Sequence, residues 1–264
     1  MSALFPADCR ICASPLATIS RLPVCRSCLD SIQPMHVPAC SICGERLFAG
    51  WTSGAAEPPL CGPCRHERPA YTRAVAFGAY EGALRELVHL LKYVGVRPAA
   101  AVLGALLGEA LLGLSGDFAE APPVAIPAPL HSSKLRSRGF NQAEAIARVA
   151  LKPFRTARLQ AVELNCRALE RVRNTQSQTG LTRAQRRANV HGAFSVVRPG
   201  DLAGRDVVLI DDVFTTGTTA GECARVLKGA GANRVFICTV ARVFAPEPAR
   251  MVHPERLLAA AAHA

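Results

Sequence analysis

Residues 207–219, Val-Val-Leu-Ile-Asp-Asp-Val-Phe-Thr-Thr-Gly-Thr-Thr, restrict the fold more tightly than any other part of this 264-residue chain. The apolar, β-branched-rich run 207–210 suits a strand buried on both faces, which a parallel sheet covered by helices provides. Asp211 and Asp212 follow where that strand is expected to end, at the carboxyl edge where open α/β sheets bind ligands. Thr215, Thr216, Gly217, Thr218 and Thr219 then offer backbone N–H groups, hydroxyls and a helix start, the equipment for holding one phosphate monoester. Two adjacent acids before such a turn are costly unless a ligand uses them. A G-x-x-x-x-G-K-[ST] loop is absent, so an ATP or GTP site loses its main support.

The surrounding text repeats strand, helix and strand. Residues 74–80 read as an edge-like strand, and 82–93 as a helix with Leu84, Leu87, Val88 and Leu91 at helical spacing. A small-residue helix is expected over 99–114 and a core strand over 124–127. A basic loop, 131–142, then carries Lys134, Arg136 and Arg138, and a helix starts at Asn141. A helix over 218–227 and a buried strand over 235–240 complete an α/β domain, placed at residues 71–245, with a parallel sheet and helices on both faces. Residues 1–70 form a separate small module, and 246–264 a short tail rich in Pro, Arg, His and Ala.

Net charge is +11 and is concentrated: residues 134–187 hold 13 Lys and Arg against three acids. A polyanion is therefore the expected ligand, either a diphosphate-bearing sugar or nucleic acid. Aromatics make up only 5% of the chain and do not interleave with these cations, so sequence-unspecific contact is favoured over base stacking. Asp8, Cys9 and Arg10 fall where a signal peptide would be apolar. The run 99–114 contains Glu109 and is short for a membrane span. These features read as a cytoplasmic protein, in which eleven cysteines signal metal before disulfides.

Eight of those cysteines form four C-x-x-C knuckles, Cys9/Cys12, Cys25/Cys28, Cys40/Cys43 and Cys61/Cys64. Two knuckles complete one tetrahedral Zn–S4 site, so two structural zinc ions are implied. Sequential pairing is simplest, with an interleaved pairing also compatible with the spacing; redox dithiol and iron–sulfur roles compete with zinc. The text between knuckles has too little apolar material for a core, so metal should supply much of the folding energy. Cys166, Cys223 and Cys238 belong to no motif and read as core cysteines.

Residues 207–219 resemble the phosphoribosyl pyrophosphate signature of type I phosphoribosyltransferases. That resemblance implies that Asp211 and Asp212 hold the ribose hydroxyls and that residues 215–219 cradle the 5-phosphate. It also implies a pyrophosphate-binding loop at Lys134, Arg136 and Arg138, and a ligand contact for Lys92 in its Leu-Lys-Tyr context. Arg138-Gly139-Phe140-Asn141-Gln142 together with the four knuckles resembles the ComF/GntX family, phosphoribosyltransferase-like proteins associated with bacterial DNA uptake. Thr175, Gln178, Leu181, Arg186 or Arg187, and Asn189 fit a further family pattern, T-x-x-Q-x-x-L-x(4)-R-x-x-N. Ile126-Pro127-Ala128-Pro129 departs conservatively from a more usual Val-Pro-Val-Pro.

The resemblance implies a glycosyltransferase-class enzyme using 5-phosphoribosyl 1-diphosphate with Mg²⁺. Asp211, Asp212 and Arg138 would be the catalytic set, with Asn141 and Gln142 among the substrate contacts. The polar stretch 174–182, with Arg171, Arg173, Arg186 and Arg187 flanking it, reads as a lid that excludes water. Thr215 stands where purine-salvage relatives of the fold carry an acid, which speaks against a purine acceptor. Two other readings remain: a non-catalytic DNA-uptake accessory protein binding single-stranded DNA or a helicase partner, and a ligand-sensing regulator. The regulator would need a DNA-reading helical domain, and the sequence offers none. Fold alone does not establish turnover.

Overall fold

The apolar runs assemble into a five-stranded parallel sheet. The structure, a computed structural model, describes residues 8–18, 20–48, 58–156, 161–175, 180 and 182–245. Two short helices, α1 (Arg26–Asp30) and α2 (Gly62–His66), precede β1 (Arg73–Ala79), α3 (Gly82–His89), a π-helical turn over Leu90–Val94, and α4 (Ala99–Leu112). Then come β2 (Val124–Pro127), α5 (Ser132–Arg138), α6 (Gln142–Ala150), α7 (Lys152–Thr156), β3 (Glu163–Leu164) and β4 (Leu169–Arg171). The chain continues through α8 (Arg183–Val190), β5 (Phe194–Val196), β6 (Val207–Phe214), α9 (Thr218–Gly229) and β7 (Val235–Arg242). The sheet order is β1-β7-β6-β2-β3, all neighbours parallel, and β4 and β5 form a separate antiparallel pair.

Three expectations are corrected locally. The β6 strand does not end before the acids; it runs on to Phe214, with Asp211, Val213 and Phe214 in register with Thr239, Ala241 and Arg242. The ladder offered by β7 overrides the poor strand preference of aspartate. The basic segment after β2 is largely a helix rather than a loop. His131 caps its start by accepting from the Ser133 N–H, and Gly139, at φ +77°, ends it. The helix over 82–93 changes to π winding at Leu90, and Gly95 at φ +75° closes it.

Each face of the sheet has its own core. On the first, Val208 and Ile210 pack with Leu87, Leu103, Leu107 and Ile146. There α4 lies hard against α6: a Cβ at Gly104 would stand 2.4 Å from Val149 Cβ, and one at Gly108 3.2 Å from the Ala150 carbonyl. On the second, Val207 and Leu209 pack with Phe194, Cys223, Leu227 and Ile237. Cys223 and Cys238 are buried, as their isolation in sequence suggested, while Cys166 is half-buried.

The cysteine-rich segment divides between these cores. Cys9 joins the first, with Cys25 and Cys28 packed against it, whereas Cys40, Cys43, Cys61 and Cys64 join the second. The segment also covers part of β1, an edge strand: Met35 N–H donates to the Phe77 carbonyl at 2.8 Å, and Ala74 N–H to the Ile42 carbonyl at 2.6 Å. Among the described residues no helix is long and apolar enough to cross a membrane. The tail 246–264 lies outside the described residues.

Candidate functional site

The acids of β6 sit deep in the carboxyl edge of the sheet. Successive strand residues point to opposite faces, so Asp212 continues the side of Ile210 and Asp211 that of Leu209. Asp212 is buried and receives Lys92 Nζ on its Oδ1 at 2.9 Å, while its Oδ2 is buried without a partner. Lys92 comes from the π turn over Leu90–Val94. Burial opposes the lysine charge, but Asp212 and Asp211 outweigh it and hold the ammonium above its ordinary range. Asp211 accepts from the Asp212 N–H at 2.9 Å. Burial first, then the neighbouring Asp212 carboxylate, push the Asp211 carboxyl up to about 7.

Beyond Phe214 the chain turns into α9. Gly217, at φ +73°, occupies the N-cap, and its carbonyl accepts the Gly221 N–H at 2.7 Å. The glycine is required twice over, because a Cβ would also stand 2.6 Å from Phe214 Cζ. Thr216 and Thr218 share a hydroxyl–hydroxyl hydrogen bond of 2.8 Å. The N–H groups at the start of α9, with the helix dipole behind them, suit an anion. Beside this loop opens a cleft of about 1420 Å³ whose walls include Thr215, Thr216, Arg186, Tyr71, Cys64 and Phe244.

A cationic group faces the acids. Burial lowers the Lys134 ammonium, and the charges of Arg171, Arg138 and Lys92 lower it further. Arg138 bonds to the side chain of buried Gln142 and lies 5.9 Å from the Tyr93 ring centroid. Arg171 bonds Thr175, which is buried, and lies over Phe194. Burial depresses the Arg171 guanidinium and its Nε has no partner. Lys134 is exposed, and its repulsion by Arg171 and Arg138 would be eased by a bound anion.

Other residues singled out in the sequence are placed differently. Asn141 caps α6 by accepting the Ala143 N–H and donates to the Ala128 carbonyl at 3.1 Å, which fixes the chain between β2 and α6. Arg136 is exposed. Arg173 clamps the carbonyls of Asn189 and His191, at 3.0 and 2.5 Å, at the end of α8. Arg187 reaches back to Glu67 at 2.7 Å, and Arg186 borders the cleft with its Nε unpartnered. Thr182 begins α8 in a capping box with Gln185. Gln178 and Leu181 lie outside the described residues.

The eight knuckle cysteines gather sequentially, Cys9, Cys12, Cys25 and Cys28 in one cluster and Cys40, Cys43, Cys61 and Cys64 in the other. Within each cluster all ligand atoms lie within 4.8 Å of one another, as four sulfurs around one tetrahedral ion require. Both therefore fit structural zinc. Sequence reasoning passed over two residues beside the second cluster, Tyr71 and Arg242. The signal for Arg242 was present: a charge at the end of the otherwise apolar run Val-Phe-Ile-Cys-Thr-Val-Ala.

A family model described as "Phosphoribosyl transferase domain" matches residues 136–256. The DNA utilization protein YhgH of Salmonella typhimurium is 31% identical over 239 residues, covering 90% of this chain and 97% of the relative. Competence protein F of Haemophilus influenzae is 28% identical over 228 residues, covering 85% and 92%. Among solved structures, a hypoxanthine phosphoribosyltransferase from Staphylococcus aureus aligns at 16% identity and a TM-score of 0.29 over 58% of this chain and 71% of that one, too distant to bear on the site. With its two zinc-ribbon-like cysteine clusters and its phosphoribosyltransferase-like parallel sheet, the chain belongs to the YhgH/ComF family of DNA-utilization and competence proteins.

Proposed function

We propose that the chain binds 5-phosphoribosyl 1-diphosphate with Mg²⁺ and transfers its phosphoribosyl group to an acceptor yet to be identified, in the service of DNA uptake. The observation that carries the reading is the unpartnered, buried Oδ2 of Asp212 in a carboxyl-edge site that runs directly into the glycine-capped start of α9. An uncompensated buried oxygen is costly, and a ribose hydroxyl would satisfy it by donating. Asp211 and Asp212 would orient the ribose, while residues 215–219 would hold the 5-phosphate. Lys134, Arg138 and Arg171 would receive the negative charge that develops on diphosphate as its bond to C1 lengthens. Magnesium, when bound with the substrate, would neutralise diphosphate oxygens and favour their departure; its oxygen-rich preference suits the acids and substrate phosphates.

In this reading the chain divides at about residues 70 and 245, with the cysteine-rich module supporting the site rather than reacting in it. Calorimetric titration of the zinc-loaded protein with phosphoribosyl pyrophosphate, with and without Mg²⁺, tests the reading. Magnesium-dependent binding that is lost in an Asp211→Asn/Asp212→Asn variant is the expected result, and an acceptor screen follows from it. Failure of the intact protein to bind would overturn it.

The names of the relatives favour a second reading, in which the basic face contacts single-stranded DNA without catalysis. Binding to an unstructured oligonucleotide that weakens steeply with salt, undisturbed by the double variant, would select that reading.

A further inference from the structure

We infer that Arg242 is a positioning residue through which the second cysteine cluster sets the shape of the phosphate loop. The inference rests on the phosphate-binding role proposed for residues 215–219. It starts from an unusual placement: an arginine that is 4% exposed at the last position of β7, directly across the ladder from Phe214. A buried guanidinium persists only where its charge is met. Here Nη1 donates to the Cys43 carbonyl, while Nη2 lies 3.8 Å from Cys43 Sγ and donates to Glu45 Oε2 at 2.9 Å. Four thiolates around one dication leave about two negative charges, so the cluster is a strong partner for this cation.

The other side of the guanidinium faces the loop. Its central carbon stands 4.5 Å from the Phe214 ring centroid. Phe214 meets Tyr71 edge to face at 6.1 Å between centroids. Gly217 rests on both rings, since a Cβ there would lie 2.6 Å from Phe214 Cζ and 3.3 Å from the Tyr71 hydroxyl. The contacts thus run without a gap from Cys43 through Arg242 and Phe214 to the left-handed residue that caps α9. Interiors packed this closely transmit displacement rather than absorb it. If the second cluster opens, Arg242 keeps only Glu45 as a counter-charge, Phe214 loses support, and the backbone N–H groups at residues 217–219 lose their alignment. The first cluster packs instead into the core on the other face of the sheet.

Two variants test this in the zinc-loaded protein. Arg242→Met cuts the link at the cluster, and Phe214→Leu cuts it at the loop without touching a metal-bonded group. Backbone hydrogen exchange is read at residues 215–219 and in β2, and ribose 5-phosphate binding is read by calorimetry. Both variants should speed loop exchange by about tenfold, leave β2 unchanged and weaken ribose 5-phosphate by a similar factor. Arg242→Lys, which keeps the charge but loses the two-nitrogen grip, should fall between. Chelator titration should find both zinc ions still bound in Phe214→Leu. Loop exchange equal to wild type in both variants would overturn the inference. Absence of ribose 5-phosphate binding in the wild type would instead strike the phosphate-loop reading, with the exchange data still deciding the coupling.

Discussion

The two cysteine clusters are built from the same pair of C-x-x-C knuckles, yet they pack on opposite faces of the sheet. In the first, Cys12 is exposed and Cys25 and Cys28 are partly so, and the cluster leans on the face where α4 and α6 pack through small residues. In the second, all four cysteines are buried, and a buried arginine and two aromatic rings join it to the site. Ligand identity is therefore a poor guide to what a metal centre contributes. What differs is how much of the remaining protein depends on each centre, and that is set by neighbours far away in sequence.

The largest expected effect comes from opening the second cluster. Cys61→Ser should cost about 4 kcal/mol, a fall of roughly 10 °C in melting temperature, against about half that for Cys12→Ser. Thermal unfolding of the zinc-loaded variants measures both, and equal shifts would break the contrast. A smaller loss is expected on the first face from overpacking: Gly104→Ala should cost about 2 kcal/mol, because the new methyl meets Val149. Its ribose 5-phosphate affinity should be unchanged, and a loss there would show that the faces are not independent.

Next comes Asp206, buried just before β6, which accepts from Ala119 N–H, Asn233 and Arg234. Burial opposes its charge, but those donors win and hold its carboxyl below the ordinary carboxylate range. A depressed folded value gives stability that is present above the unfolded value, about 4, and lost as pH falls through the folded one. In chemical denaturation Asp206→Asn should therefore cost about 1–2 kcal/mol at pH 6, a cost that shrinks as pH falls below about 4, with similar pH slopes in variants of either cluster. The smallest effect is expected at the exposed Arg187–Glu67 pair, where Arg187→Ala should cost about 0.5 kcal/mol, less still in high salt. A larger cost would mean that α8 holds the second cluster in place.

Much of this was legible in the chain. The run 207–210 announced a buried parallel strand because its residues are apolar on both faces, whereas the spacing left knuckle pairing open between a sequential and an interleaved arrangement, and the structure shows the sequential one. The helical form of α5 was hidden because Ser-Ser-Lys-Leu-Arg-Ser-Arg lacks apolar periodicity, so charge density was mistaken for loop character. Strand character through Asp211 and Asp212 was hidden because it comes from β7, not from aspartate. The resemblance marked Asn141 as a substrate contact; that its side chain also fixes backbone between β2 and α6 is something residue type does not carry. The site's neighbours Tyr71 and Arg242 gain their meaning only when chain ends meet.

Arg242 and Cys43 are 199 residues apart. On the ribosome, the knuckles emerge before the sheet and can take up metal while most of it is still unmade, whereas the arginine beside the second cluster is translated only after six of the seven strands. The second centre gains that cation only with β7, so a chain that stops short of β7 would carry a metal site without its buried arginine.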